Sequence, residues 1–257
     1  MPEQPFSFVY ISQMIDRVLA ETQWDELAAP EGGPFIALEM LEDKQPAGYV
    51  RLWRGGRQSP LDRMVHMRLV AGPVETQLLF IFGRPETSMP HLHAQVVQFP
   101  PDGCVYNMDY LPRLDPVNRP DWFERVFGAL RRPYRKATAD SENSCAQAPA
   151  NPALAVYMSP WGIASGRADQ AELAKVTPCI DEYLEHYLRL ANDAGWDEPD
   201  GAALAERDRR HLKLFFDDEM DPRAWNGVYR IIGEDKGRAV KALFVTPLGK
   251  PDDSPAQ

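Results

Sequence analysis

Between residues 35 and 110, six β-prone segments follow one another with only short breaks, and this run limits the fold more than any other feature of the chain. The segments are Phe35–Leu41, Tyr49–Trp53, Arg63–Val70, Gln77–Phe82, His91–Phe99 and Cys104–Tyr110. Gly55-Gly56, Gly72-Pro73, Pro85 to Pro90 and Pro100 to Gly103 interrupt them at hairpin spacing. Connections this short cannot carry the crossover that parallel pairing requires, so successive strands are expected to pair antiparallel, as a meander. Side chains alternate along a strand, which puts His91, His93, Gln95, Val97 and Phe99 on one face of the fifth strand and groups Met64, His66 and Arg68 in the third.

Helical periodicity brackets this run. Phe8, Ile11, Ile15, Val18 and Leu19 recur at helical spacing within Phe6–Leu27, with Ser7 as the expected cap. After Arg113 a helix over Asp121–Leu130 is expected, opened by Pro120 and closed by the basic cluster Arg131, Arg132, Arg135 and Lys136. Residues Ala137–Pro152 lack periodicity and predict a mobile loop, followed by a short strand over Ala153–Met158. Helices over Asp169–Asn192 and Gly201–Phe216 come next, and a last one within Arg223–Val245 is broken near Gly227 or Gly233. Strands first and helices later predict an α+β fold, an α/β/α three-layer sandwich with a central antiparallel sheet flanked by helices on both faces. One domain is expected over residues 1–249, with a flexible tail at 250–257.

A net charge of −10 argues against partners that are polyanions, either nucleic acid or an anionic membrane surface. No apolar run is long enough for a membrane span and no secretory leader is visible, so a cytoplasmic protein is expected. Cys104, Cys145 and Cys179 are far apart and form no C-x-x-C pair, which predicts reduced structural thiols and neither zinc nor an iron–sulfur cluster. Neither a dinucleotide fingerprint nor a P-loop is present. Redox chemistry on this chain would therefore draw its electrons from elsewhere.

The stretch from Pro90-His91-Leu92-His93 to Asp109-Tyr110-Leu111-Pro112-Arg113-Leu114-Asp115, with Pro120-Asp121-Trp122 beyond it, resembles the red chlorophyll catabolite reductases. Arg63–Arg68 resembles the strand on which the ferredoxin-dependent bilin reductases place a His and, two residues on, a Glu. Met158-Ser159-Pro160 and Met220-Asp221-Pro222-Arg223, with Gly233 beyond, extend the match in order over about two thirds of the chain. The resemblance implies the three-layer sandwich, with a linear tetrapyrrole held between the sheet and the C-terminal helices. It also implies no bound cofactor: reduced ferredoxin supplies single electrons, and protein acids supply protons.

Carried over by position, the family's acid on the central strand falls on Gln95 and the bilin reductase Glu on Arg68, neither of which can donate a proton at ordinary pH. The catalytic candidates are then Asp221, His91, His66 and Gln95, with Asp221 equally readable as a helix cap before Pro222. Arg68, His93, Arg113 and Arg167 are the candidates for holding substrate and its propionates. All the strand residues among them are expected on one sheet face. Arg131, Arg132, Arg135 and Lys136 are the expected docking patch for acidic ferredoxin, with a solvated helix end as the plainer reading. His91-x-His93 could seed a metal site, but a third ligand at useful spacing is missing, and no metal is expected. Two other functions fit the same residues: a tetrapyrrole-binding protein without turnover, and an electron-independent lyase or isomerase on a similar sandwich.

Overall fold

The computed structural model describes residues 4–139, 152–220 and 222–249. Eight strands form a single antiparallel sheet: β1 (Trp24–Leu27), β2 (Ile36–Glu39), β3 (Pro46–Gly55), β4 (Leu61–Ala71), β5 (Val74–Gly83), β6 (His91–Phe99), β7 (Gly103–Leu111) and β8 (Ile163–Asp169). From β3 to β7 each strand pairs with the next, which is the expected meander. β8 adds to the far edge, and β1 and β2 share the outer edge of β3.

Among the described residues, seven α-helices cover the two faces. α1 (Phe6–Glu21), α2 (Pro120–Phe127), α3 (Arg131–Ala137) and α4 (Gln170–Asn192) pack on one, where Ile11, Met14, Ile15 and Val18 of α1 are buried at helical spacing. α5 (Gly201–Phe215), α6 (Pro222–Ile232) and α7 (Glu234–Val245) pack on the other. The three-layer sandwich is therefore as expected. α4 begins with a full capping box, in which Asp169 accepts from the Glu172 amide and the Glu172 carboxylate accepts from the Asp169 amide. The last helical stretch breaks at Gly233, whose φ of +88° suits glycine, so α6 and α7 are separate helices.

Several local expectations are corrected. The first helix ends at Glu21, and Trp24–Leu27 is an edge strand. Ser7 lies inside the first turn, and Pro5 takes the cap position. Residues Pro152–Val156 form a 3-10 turn where a strand was expected, and the true strand is β8. Its run of small residues, Ala164-Ser165-Gly166, reads as a turn in sequence because it carries few of the β-branched side chains that mark strands. The basic cluster after Leu130 is itself helical, as α3. Most of the expected loop at 137–152 and all of the tail at 250–257 lie outside the described residues, as do Asp221 and Cys145. Cys104 and Cys179 are buried thiols.

The register decides what the sheet presents. Val65, Phe80, His93 and Asp109 stand side by side across β4 to β7, and the next row on that face is Met67, Leu78, Gln95, Asn107 and, on β8, Ala164. The intervening row, His66, Leu79, Ala94 and Met108, points to the opposite layer. His66 and Arg68 thus lie on the α1 side and His91, His93 and Gln95 on the α5–α7 side, which overturns the expectation of one shared face. Alternation fixes parity within a strand, whereas parity between strands depends on register, and a shift of one residue reverses it.

Candidate functional site

A cavity of about 690 Å³ lies between the sheet and the C-terminal helices. Its floor is Phe80 and His93 from one row with Leu78, Gln95 and Asn107 from the next, and its roof is the end of α5 with α6, where Phe215, Phe216 and Trp225 close over it. β8 supplies Ser165, and the segment after the 3-10 turn supplies Met158. The lining is largely apolar; among the described residues its polar members include Thr76, His93, Gln95, Tyr106, Asn107 and Ser165, and it holds no Asp, Glu, Lys or Arg. Size and lining match a pocket for an organic ligand with a few fixed hydrogen-bonding groups.

His93 is the most informative of these groups. Its ring stacks on Phe80, with centroids 4.3 Å apart and planes 13° from parallel. Both ring nitrogens are buried without a hydrogen-bond partner among the described residues. Burial alone drives its pKa down to about 3, so the ring is neutral, with one donor and one acceptor unused. Among the same residues, Asn107 Oδ1 is likewise buried and unpaired. Buried polar atoms are nearly always satisfied, so unpaired ones at a cavity wall mark where a ligand can bond.

Directly opposite His93 in the β6–β7 pairing stands Asp109, fully buried. Its Oδ1 accepts from the Tyr110 amide at 2.8 Å and the Ser159 hydroxyl at 2.5 Å, and its Oδ2 accepts from the Ser159 amide at 3.0 Å. Burial pushes the carboxyl up to about 7, against these hydrogen bonds, which pull it down. Asp109 therefore holds a proton near neutrality without a cation beside it. Sequence reasoning misses Asp109 as a site residue; the signal available is its place sixteen residues after His93 across a short hairpin, where register brings the two together.

Beside this pair lies a second buried cluster. His91 Nδ1 accepts from the Gly83 amide at 3.0 Å, and its Nε2 faces Asp208 Oδ1 of α5 at 2.8 Å. Burial lowers His91 to about 4, so it is neutral. Burial pushes the Asp208 carboxyl up, but His91 and Arg113 outweigh this and hold it at about 2. Arg113 is fully buried, with Nε 2.9 Å from the same Asp208 oxygen in an ion pair too poorly aligned to count as a hydrogen bond. Its other nitrogens donate to the carbonyls of Gly83, Arg84, Pro85 and Met89.

No family model matches the chain, and no curated protein matches it. Among solved structures it resembles phytochromobilin synthase from tomato in complex with biliverdin, with a TM-score of 0.73, 16% sequence identity, and coverage of 92% of this chain and 82% of that one. The fold is that of phytochromobilin synthase. At this identity the likeness establishes the fold alone, and it agrees with the family resemblance drawn from the sequence motifs.

The expected site residues divide accordingly. His93 and Gln95 line the cavity. His91 is adjacent but committed to Gly83 and Asp208, and Arg113 is a structural clamp where a propionate partner was expected. Its charge is already met by Asp208 and four carbonyls. Arg167 is exposed on the edge strand β8. His66 and Arg68 join Gln77 and Glu75 in a network behind the sheet, His66 Nε2 lying 2.7 Å from Gln77 Oε1 and Arg68 donating twice to Glu75. The α3 basic cluster lies in the layer opposite the cavity, with Arg131 paired to Glu124 and Lys136 near Glu182. Among the described residues no cluster of metal-ligating side chains occurs, and no helix is long and apolar enough to cross a membrane.

Proposed function

We propose that the chain binds a linear tetrapyrrole, a bilin or an open-chain chlorophyll catabolite, in this cavity and reduces one of its double bonds with electrons from reduced ferredoxin. Two ferredoxins each deliver one electron, and two protons complete the addition, so that a C=C bond becomes CH–CH. In this reading Asp109 is the proton source, the neutral ring of His93 stands between it and the ligand, and Gln95 and Asn107 hydrogen-bond the pyrrole N–H and lactam C=O groups. The observation that carries it is a buried carboxyl that retains its proton near neutrality, opposite an unpartnered histidine on the wall of an apolar cavity. The likeness to a fold solved with biliverdin supports the choice of ligand. A partner of this kind places the chain in the cytoplasm or a plastid stroma.

The second reading, a tetrapyrrole-binding protein without turnover, is favoured by one observation: the positions where the related families carry acids hold Gln95 and Arg68. One experiment separates the two. Biliverdin added to the purified protein should give a red-shifted absorption band, and ferredoxin with an NADPH-driven reductase under anaerobic conditions should then bleach it. Asp109→Asn should keep the band and lose the bleaching. A band that never bleaches in the unaltered protein establishes the second reading, and no band at all rejects both.

A further inference from the structure

We propose that the Ser159 hydroxyl is the relay that carries protons from solvent to Asp109. The inference rests on Asp109 being the proton source of the proposed reduction, but it concerns a property of the ligand-free protein. Each reduced double bond consumes two protons in a cavity walled by apolar groups, so one buried carboxyl has to be reloaded within every turnover.

Asp109 has three hydrogen-bond partners among the described residues. Two are the backbone amides of Tyr110 and Ser159, which hold their protons and cannot pass one on. The third is the Ser159 hydroxyl, which can donate and accept at once. Facing an ionised Asp109, Ser159 donates to it; facing a protonated Asp109, it accepts from it and its own hydrogen turns outward.

The oxygen has capacity for this. Ser159 Oγ also accepts from the Trp161 amide at 3.0 Å, which leaves one lone pair for an incoming water. Ser159 is only half-buried, and the next residue, Pro160, is exposed, whereas Asp109 is fully buried. The geometry is held from several sides. The Trp161 carbonyl accepts from the Tyr183 hydroxyl at 2.7 Å, and a Cβ at Gly162 would stand 3.3 Å from the Asp109 carboxyl carbon, so the segment lies tight over the acid. The titratable groups that face Asp109 are His93 on β6 and Tyr183 on α4. His93 opens onto the ligand cavity, where in the proposed reaction it lies on the way to the tetrapyrrole, and burial pushes the Tyr183 phenol far up, which leaves the Ser159 hydroxyl as the exchangeable group on the outer side of Asp109.

The test is the exchange of the Asp109 carboxyl proton for deuterium, followed by infrared spectroscopy without any tetrapyrrole, below the midpoint of its titration. The band is assigned as the protonated carboxyl signal lost in Asp109→Asn. Exchange should be complete on mixing in the unaltered protein and in Ser159→Thr. It should slow by at least about tenfold in Ser159→Ala, where local opening of the segment becomes the remaining route. Should Ser159→Ala not fold, Ser159→Cys carries the test, because a thiol fills the space but is a poor donor and acceptor. Fast exchange in both of these variants, slow exchange in Ser159→Thr with the fold intact, or the lack of an assignable band would overturn the proposal. Slow exchange in Ser159→Ala combined with full bilin reduction by Asp109→Asn would uphold the relay and reject the role given to Asp109.

Discussion

His91 and Asp208, 117 residues apart in sequence, meet at 2.8 Å between β6 and α5, and the same carboxylate oxygen faces Arg113 at 2.9 Å. The contact fixes the helix that roofs the cavity to the strand that floors it. Asp208→Asn keeps the shape and an acceptor for His91 but leaves the buried Arg113 guanidinium without its counter-charge. The expected loss is about 3–5 kcal/mol in urea unfolding, since removing one partner strands the other charge away from water. Arg209→Ala, which removes a solvent-exposed pair with Glu206, should leave the urea midpoint almost unmoved, because water screens that pair. Equal effects of the two substitutions would show that the cluster does not hold the layers together.

Acid should unfold the protein at an unusually high pH. Burial lowers His66, His91 and His211 to about 4 and His93 to about 3, all below the 6.5 of an exposed imidazole. Between those limits the unfolded chain binds protons that the native one refuses, so stability falls as pH drops through 6.5 towards 4. Asp109 acts in the opposite sense there, because only the native state holds its proton. Four histidines against one carboxyl give a net slope of about 4 kcal/mol per pH unit, enough to exhaust an ordinary domain's stability within a few units. Circular dichroism during acid titration should show a cooperative transition near pH 5, and a fold that persists to pH 3 would contradict the burial of these rings.

The sequence discloses the meander because its signals are local: apolar runs, turn residues and alternation each act within about ten residues. His91–Phe99 was legible to the residue. The site was legible only in part, because it is built from relations between strands. That Asp109 stands opposite His93, and that His66 does not share its face, depends on registers set by the hairpins between β4 and β7. The fate of Arg113 was hidden for the same reason. A strand-end arginine looks free to meet a ligand until the tertiary fold brings Asp208 and four carbonyls around it.

Asp109→Asn should change how stability depends on pH. A carboxyl raised from 3.8 to about 7 destabilises the native state progressively as pH rises through that window, because the unfolded chain releases the proton and the native one keeps it. Asn has no such titration. Its amide does set a donor against the Ser159 amide, so the absolute stability falls by an amount that pH does not alter. The stability difference between the two proteins should therefore move in favour of Asp109→Asn by a few kcal/mol from pH 4 to 7, as measured by urea unfolding at stepped pH. Parallel curves would mean that Asp109 titrates as an ordinary carboxylate.

His93→Phe should trade binding for stability. The imidazole keeps two buried nitrogens unpaired in the ligand-free protein, a cost of about 1–3 kcal/mol for each group denied water. A phenyl ring preserves the stack on Phe80 and removes that cost. Thermal melting should rise while biliverdin affinity falls by about tenfold, the worth of one good hydrogen bond. A variant that is less stable and binds normally would return His93 to a purely structural role.

Gly227 offers the most direct test of where the ligand sits. It lies within α6 on the cavity wall, and a Cβ built there meets nothing within 4 Å, so a side chain would grow into open space. Gly227→Ala should stabilise the protein by about 0.5–1 kcal/mol, because a helix-interior glycine gives up backbone entropy that alanine does not. It removes little volume from the cavity, and binding of biliverdin should survive. Gly227→Trp places a large aromatic body in the same space while every residue of the sheet, His93 and Asp109 included, stays unaltered. The protein should fold, since the room is already there, but biliverdin should bind at least about tenfold more weakly, because steric exclusion discriminates by clash alone. The bound band and its dissociation constant, read by absorption titration for both variants, check this. Unaltered affinity in a folded Gly227→Trp would place the tetrapyrrole elsewhere on the molecule, whatever the fold suggests.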